Sequence, residues 1–296
     1  MVALLSSLKK NCESLLAVFA LIRVGNVLMI AGAVYLGAYL AAGNGLGLQS
    51  THLLATAIAA SLLAASANVM NDLLDGAQDQ INHPNRPLVV GTVKRATAVW
   101  LAILLFIAAL IATSFLSALH VVLVALIAIM LASYNIWLHR IPLVGNIFIG
   151  LIVASSIPFG ALSYGLTPTI WIASLFAFGT TVIREISKDL QDVEGDLAVG
   201  VRTLPVWMGR TRSVIVVRTV SLLIVALSVV PFLVFSFGGL YLLAMSVTNM
   251  LLVLPMARQI GPLQEARFTA ATLKWAMLAG MFALSVSNTI PVSPSF

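Results

Sequence analysis

Charge is scarce in this chain of 296 residues: 9% of it is Asp, Glu, Lys or Arg, against 60% hydrophobic residues. That balance excludes an ordinary soluble domain. A single cysteine, Cys12, excludes an internal disulfide and leaves the redox compartment open. Histidines are few, and neither His83 nor His120 has a second histidine at metal-ligand spacing. The chain also lacks a serine–histidine–acid arrangement, a phosphate-binding P-loop and a strand-led G-x-G-x-x-G. The net charge of +6 says little about nucleic acid, which is not expected as a partner. It reflects loops gathered on one side of a membrane.

What the chain does have is apolar sequence, in recurring runs of about 20 residues, the length that crosses a hydrocarbon core of about 30 Å. With no water in that core, spans must be helices or a closed barrel, and continuous rather than alternating apolar runs select helices. The expected fold is all-α: one polytopic membrane domain over residues 1–296, a bundle of nine transmembrane helices under two cytoplasmic cap loops. The expected spans are Leu15–Ala41, Leu53–Leu74, Ala96–Ala118, Val121–Leu138, Leu143–Tyr164, Thr169–Ile186, Val214–Phe237, Leu240–Ala257 and Ala270–Thr289. The first run is too long for a cleavable signal peptide, and no Arg- and Ser-rich transit segment precedes it. A retained first span in a prokaryotic cell membrane is the expectation.

Every other connection (44–50, 119–120, 165–168 and 238–239) is short and free of Lys and Arg. With nine spans, all 16 basic and all 10 acidic residues fall on the opposite face. The positive-inside rule then places the N-terminus and caps in the cytoplasm and the C-terminus outside.

Eight of the ten acidic residues lie in or beside two clusters of identical spacing. Asp72, Asp75 and Asp79 form one, Asp189, Asp192 and Asp196 the other, each D-x-x-D-x-x-x-D and each offset by the same interval. The position four before each first aspartate, Asn68 and Glu185, obeys that interval too. On a helix, positions 0, 3 and 7 share a face within roughly 60°, so each cluster is expected to converge on one point. Carboxylates that close repel unless cations sit among them. Magnesium suits such oxygens and shares substrate phosphates, and two ions can clamp a departing diphosphate. Each cluster leads into an expected loop of about 20 residues, Gly76–Arg95 and Val193–Arg212, a length that is uncommon without a function.

Several polar residues near the span ends complete the candidate site. Arg23 and Asn26 share a face of the first span, where Arg23 either meets a phosphate or cluster carboxylate or snorkels to the headgroups. Lys188 and Arg86 are placed to hold diphosphate oxygens, or else to balance the acidic nest, and Arg184 adds a cation one turn before Lys188. Tyr134 either lines a pocket for an allylic cation or belongs to an interfacial aromatic belt.

Asn71-Asp72-Leu73-Leu74-Asp75-Gly76-Ala77-Gln78-Asp79, followed by Asn82-His83-Pro84-Asn85-Arg86-Pro87-Leu88, resembles the first signature of the UbiA superfamily of intramembrane prenyltransferases. Lys188-Asp189-Leu190-Gln191-Asp192-Val193-Glu194-Gly195-Asp196, then Gly200 and Arg202-Thr203-Leu204-Pro205, resembles its second. The resemblance covers nearly the whole chain. It implies two Mg²⁺ ions holding a polyprenyl diphosphate between the motifs, in a bundle with a lateral opening to lipid. By motif position, Asn71, Asp72, Asp75 and Asp79 match one metal side, and Asp189, Asp192 and Asp196 the other. Lys188 and Arg86 match diphosphate contacts, and Arg23 and Asn26 the polar pair of the first span.

Where members with aromatic acceptors often carry a tyrosine, this chain has Arg184. The string around it looks like the branch making digeranylgeranylglyceryl phosphate. The expected reaction is Mg²⁺-dependent transfer of a geranylgeranyl-type group to a lipophilic acceptor. Catalysis is expected to rest on Asp72, Asp75, Asp192, Asp196 and Lys188, and substrate binding on Arg23, Asn26, Asn68, Arg86, Tyr134, Arg184 and Lys188. An aromatic acceptor is the alternative within the class, and a transporter with intramembrane carboxylates the alternative outside it.

Overall fold

The computed structural model describes residues 13–43, 50–258 and 261–286. Lys9, Lys10, Cys12, all of the connection 44–50 except Ser50, and the end of the last expected span at Thr289 lie outside them. Among the described residues there is no strand; helices and turns account for the fold. In chain order the helices are α1 (Glu13–Ile22), α2 (Val24–Ala42), α3 (Thr51–Leu74), α4 (Gly76–Asn82), α5 (Pro87–Val90), α6 (Arg95–Ser114) and α7 (Ala118–Ile136). There follow α8 (Val144–Ala154), α9 (Ser156–Ala161), α10 (Pro168–Val199), α11 (Leu204–Met208), α12 (Arg210–Leu227), α13 (Val230–Val234), α14 (Gly239–Val253) and α15 (Pro262–Ser285). Among the described residues, eight helical segments are long and apolar enough to cross a membrane. The chain is a multi-pass membrane protein. At the eighth expected span stands α14, only 15 residues long, or about 22 Å.

Three expected spans are broken, one by contacts from another helix and two at a proline. The first divides at Arg23, which adopts a left-handed backbone (φ 54°, ψ 59°) between α1 and α2. Such a conformation costs a non-glycine residue roughly 1–2 kcal/mol and persists only where its surroundings hold it. Here the Arg23 guanidinium is fastened to Asp72 at 2.5 Å, and Asn68 donates to the Ile22 carbonyl at 3.0 Å. The fifth span divides at Ser155 because Pro158 has no N–H to offer the Ala154 carbonyl. Pro231 does the same to Leu227, ending α12 and setting off α13.

Glycine lets α2 and α9 press backbone to backbone. A Cβ on Gly37 would lie 1.8 Å from the Ile157 carbonyl oxygen, and one on Gly160 would lie 1.9 Å from that of Val34. Only residues without a side chain allow this approach, as is common between helices in lipid. Around it, Leu36, Ile157, Ile183, Ile186, Leu273 and Ala276 build the larger buried cluster, while Val34, Leu53, Val124 and Phe159 build a second. Outward-facing Leu104, Phe115, Trp171, Leu243 and Phe282 stay exposed, as lipid-facing side chains should.

The second acidic motif sits differently from the expectation. Nothing stops α10 at Ile186; it runs for 32 residues to Val199 and ends on Gly200 in the left-handed region (φ 74°). At about 48 Å it outreaches a hydrocarbon core by roughly twelve residues. The cap after it therefore begins at Gly200 rather than Val193, and the second motif is fully helical. The first motif is not. Asp75 terminates α3, and α4 starts afresh at Gly76.

Candidate active site

The two motifs meet through the side of α4. The Asn82 amide clips into α10, donating from Nδ2 to the Asp192 carbonyl (2.9 Å) and accepting at Oδ1 from Gly195 N–H (3.0 Å). Gln78 donates to Asp196 Oδ1 at 3.1 Å, and His83 Nε2 lies 3.2 Å from Asp192 Oδ1. Gly195 is what lets Asn82 in: a Cβ there would sit 2.2 Å from Asn82 Nδ2.

Between α4 and α10 opens a polar cavity of about 580 Å³. Of the expected site residues, it is lined by Arg23, Asn26, Asn71, Asp75, Asp79, Arg86, Tyr134, Arg184, Lys188, Asp189, Asp192 and Asp196. A second, largely apolar chamber of about 250 Å³ continues from it. The two share Arg23, Asn26, Asn71, Tyr134, Asn135, Arg184, Glu185 and Lys188, which form the neck. The chamber runs between Met29, Ile30 and Leu36 of α2, Leu63 of α3, Val124 and Leu131 of α7, Phe159 of α9, Phe176 of α10 and Met281 of α15. The breaks at Ser155 and Ser228 also face it.

Two expected residues are placed elsewhere. Asp72 is buried and absent from the cavity lining; it holds Arg23 at 2.5 Å and Arg86 at 3.2 Å. Asn68 faces the apolar chamber and spends its amide N–H on Ile22. Arg86 also pairs with Asp79. Two of the first cluster's three carboxylates, Asp72 and Asp79, thus meet the chain's own arginines. In the second cluster's approach, Glu185 takes Lys188 (2.7 and 3.0 Å) and Arg184 (3.1 Å). Asn71 donates to Asp75 at 2.5 Å.

The expected convergence of each cluster on one point is not found. Among the described residues no three His, Cys, Asp or Glu side chains form a ready-made metal shell. In the first cluster the reason is the helix break at Asp75 and the turning of Asp72 toward its two arginines; in the second, Asp189, Asp192 and Asp196 turn to separate partners, Asn146, His83 and Thr203. Magnesium nevertheless needs only one or two carboxylates, because it keeps waters and takes phosphate oxygens. Asp75, Asp189, Asp192 and Asp196 line one cavity, and among the described residues no Lys or Arg ion-pairs with them. This hard-oxygen donor set fits a divalent cation. Burial, helped by the neighbouring Asp79 charge, pushes the Asp75 carboxyl up to about 6. Burial likewise raises Asp79, and its Arg86 partner offsets this only in part.

Motif reading assigns no role to several site residues. Asn146 of α8 donates to Asp189 Oδ2 at 2.8 Å, and Thr203 donates to Asp196 Oδ2 at 2.9 Å. Lys274 of α15 and His139 also line the cavity. A lone amide within the apolar run 143–164 and a lysine within 270–289 were the available signals, since such groups are costly in lipid.

Comparison with known proteins agrees with this geometry. The UbiA prenyltransferase family matches residues 30–289. A digeranylgeranylglyceryl phosphate synthase of Haloquadratum walsbyi is 31% identical over 236 residues, covering 79% of this chain and 82% of the relative. A solved structure described as giving insights into the biosynthesis of digeranylgeranylglyceryl phosphate synthase in membranes has a TM-score of 0.71 at 26% identity. It covers 93% of this chain and 99% of that one. A UbiA homolog from Archaeoglobus fulgidus, solved bound to GPP and Mg²⁺, has the same fold, with a TM-score of 0.65 at 16% identity over 91% of this chain and all of that one. The chain belongs to the UbiA prenyltransferase family.

Proposed function

We propose that this protein transfers a geranylgeranyl group from its diphosphate to the free hydroxyl of geranylgeranylglyceryl phosphate, with two Mg²⁺ ions, in ether-lipid synthesis. One observation carries the reading: the acid-lined cavity opens through a polar neck into an apolar chamber. A diphosphate with a long hydrocarbon tail fits that sequence of surroundings. Along α10 the lining spans fifteen positions, from Lys188 to Ala173, or about 22 Å. Four extended isoprene units, with about 1.3 Å of advance per carbon–carbon bond, reach about 20 Å. The names of the curated relatives and Arg184 at the neck support a phosphate-bearing acceptor.

Magnesium, when bound, supplies positive charge that neutralises the leaving diphosphate. Asp75, Asp189, Asp192 and Asp196 are the residues that would hold it. Asn146, Gln78 and Thr203 orient two of those carboxylates by hydrogen bonds. Lys188 and Arg86, steadied by Glu185 and Asp79, face the diphosphate oxygens as point charge and planar fork respectively. The allylic C1–O bond breaks, diphosphate leaves with the electron pair, and the acceptor oxygen bonds to C1 and releases its proton. Tyr134 at the neck presents a ring that can stabilise positive charge on the allyl fragment. The apolar lining beyond it keeps water from that cation. Segregation of charge along the sequence supports a cytoplasmic N-terminus and caps, with the C-terminus outside.

The test is to incubate purified protein with geranylgeranyl diphosphate and Mg²⁺, offering geranylgeranylglyceryl phosphate or hydroxybenzoate-type acceptors, with products read by mass spectrometry. Diether phosphate formed only with the metal is expected. Product with the ring compounds alone overturns the acceptor, and no release of diphosphate with any of them overturns prenyl transfer.

A further inference from the structure

Lys274 lies outside both motifs, yet it faces the polar cavity from the middle of α15. Among the described residues, ion pairs reach Arg23, Arg86, Arg184 and Lys188, the other cations of this cavity, but not Lys274. The charged groups acting on Lys274 are Arg184 and Arg23, both cations. Arg184 itself is only partly engaged. Its carboxylate partner, Glu185, is held more closely by Lys188, and its second terminal nitrogen reaches only Asn26 Oδ1, at 3.5 Å. A guanidinium carries five N–H donors, so most of this one remains available.

The cavity lining therefore carries two sets of incompletely paired charge. Asp75, Asp189, Asp192 and Asp196 await a cation, while Arg184 and Lys274 await an anion. Lys274 is exposed, so water screens part of its repulsion by Arg184 and Arg23 until an anion takes that place. Among the described residues Glu185 serves Lys188 and Asp72 serves Arg23, and no ion pair serves Lys274. Position narrows the class of ligand. Arg184 belongs to the neck and lines the apolar chamber too, whereas Lys274 lines only the polar cavity. An anionic head on an apolar tail suits that arrangement.

We infer that Lys274 and Arg184 form a second anion site, separate from the metal–diphosphate site, which takes the phosphate monoester of a phosphorylated lipid acceptor. The inference rests on the prenyl transfer proposed above and extends it, making the acceptor's phosphate a determinant of selection. Arg184 grips two phosphate oxygens through its fork, and Lys274 adds a compact charge from α15.

Steady-state kinetics on the full chain with Mg²⁺ separate the two anions. Donor is varied at fixed acceptor and the reverse, using geranylgeranylglyceryl phosphate and the same lipid lacking its phosphate. Removing one charge-assisted contact by Lys274→Gln should raise KM for the phosphorylated acceptor roughly tenfold to a hundredfold. KM for geranylgeranyl diphosphate should stay within about twofold, the mark of lost binding at one substrate only. Discrimination against the dephosphorylated lipid should collapse in Lys274→Gln and return in Lys274→Arg. Glycerol phosphate should protect wild type and Lys274→Arg against heat but not Lys274→Gln, a binding readout independent of turnover. An acceptor KM unchanged in Lys274→Gln, or both KM values raised alike, overturns the second site. Wild type yielding no product from either lipid overturns the proposed reaction instead.

Discussion

Replacing Gly195 by alanine should undock the first motif from the second, and the effect should reverse sign when Asn82 is also removed. The added Cβ would lie 2.2 Å from Asn82 Nδ2 and 2.6 Å from its Cγ, so the amide has to leave. Its departure breaks two hydrogen bonds, to the Asp192 carbonyl and from Gly195 N–H, worth about 1 kcal/mol each. Residual crowding between α4 and α10 adds about 1–3 kcal/mol, and alanine returns about 1 kcal/mol by its higher helix propensity. The sum is about 2–4 kcal/mol against docking, roughly a 30- to 1000-fold shift. Hydrogen exchange at residues 76–82 should quicken accordingly, and the Mg²⁺ concentration needed for half-maximal turnover should rise, because Asp75 and Asp79 no longer face α10. In an Asn82→Ala background nothing obstructs the new methyl, and Gly195→Ala should then stabilise α10 by about 0.5–1 kcal/mol. Equal damage in both backgrounds, or wild-type exchange and metal dependence in Gly195→Ala alone, would refute the clip as the element that registers the motifs.

Four further outcomes follow from the site and its chamber. Asp72→Asn should cost about 2–3 kcal/mol of thermal stability with or without Mg²⁺, because it strands the partly exposed Arg23 and leaves Arg86 only Asp79. Asp75→Asn should leave the metal-free protein at least as stable while abolishing stabilisation by Mg²⁺, since it removes a buried carboxylate that no Lys or Arg pairs with; a comparison of melting curves decides both. Folding raises Asp75 to about 6, so its contribution to stability is fully present below the ordinary carboxylate range and is lost as pH rises through about 6. Stabilisation by Mg²⁺ should therefore grow over that same rise, with a proton released on binding, and thermal shifts flat from pH 5 to 7 would contradict it. Phe159, at the far end of the chamber with its ring 5.1 Å from that of His120, should act as its floor. Phe159→Ala is expected to raise turnover with a five-unit donor relative to a four-unit one, measured in competition.

Apolar run length made the bundle legible, because a helix that crosses lipid must carry its apolar residues in one stretch. The breaks at Ser155 and Ser228 are written equally plainly in Pro158 and Pro231. The break at Arg23 is not, since it depends on Asp72 and Asn68 arriving from another helix. α10 shows the limit of hydropathy: charge at Lys188 and Asp189 reads as the end of a span, whereas a helix continues past the membrane wherever no residue stops it.

The chain by itself determined the chemistry on offer, in two acidic motifs of one spacing, because residue types and their periodicity are local facts. Only the tertiary structure decided the roles. It turned Asp72 inward to two arginines, gave Asp75, Asp189, Asp192 and Asp196 to the cavity, and brought Lys274 of α15 into the lining that holds Arg184. The physical reason is that a carboxylate's function depends on which charges it meets, and the two that Asp72 meets come from other segments, 49 and 14 residues away.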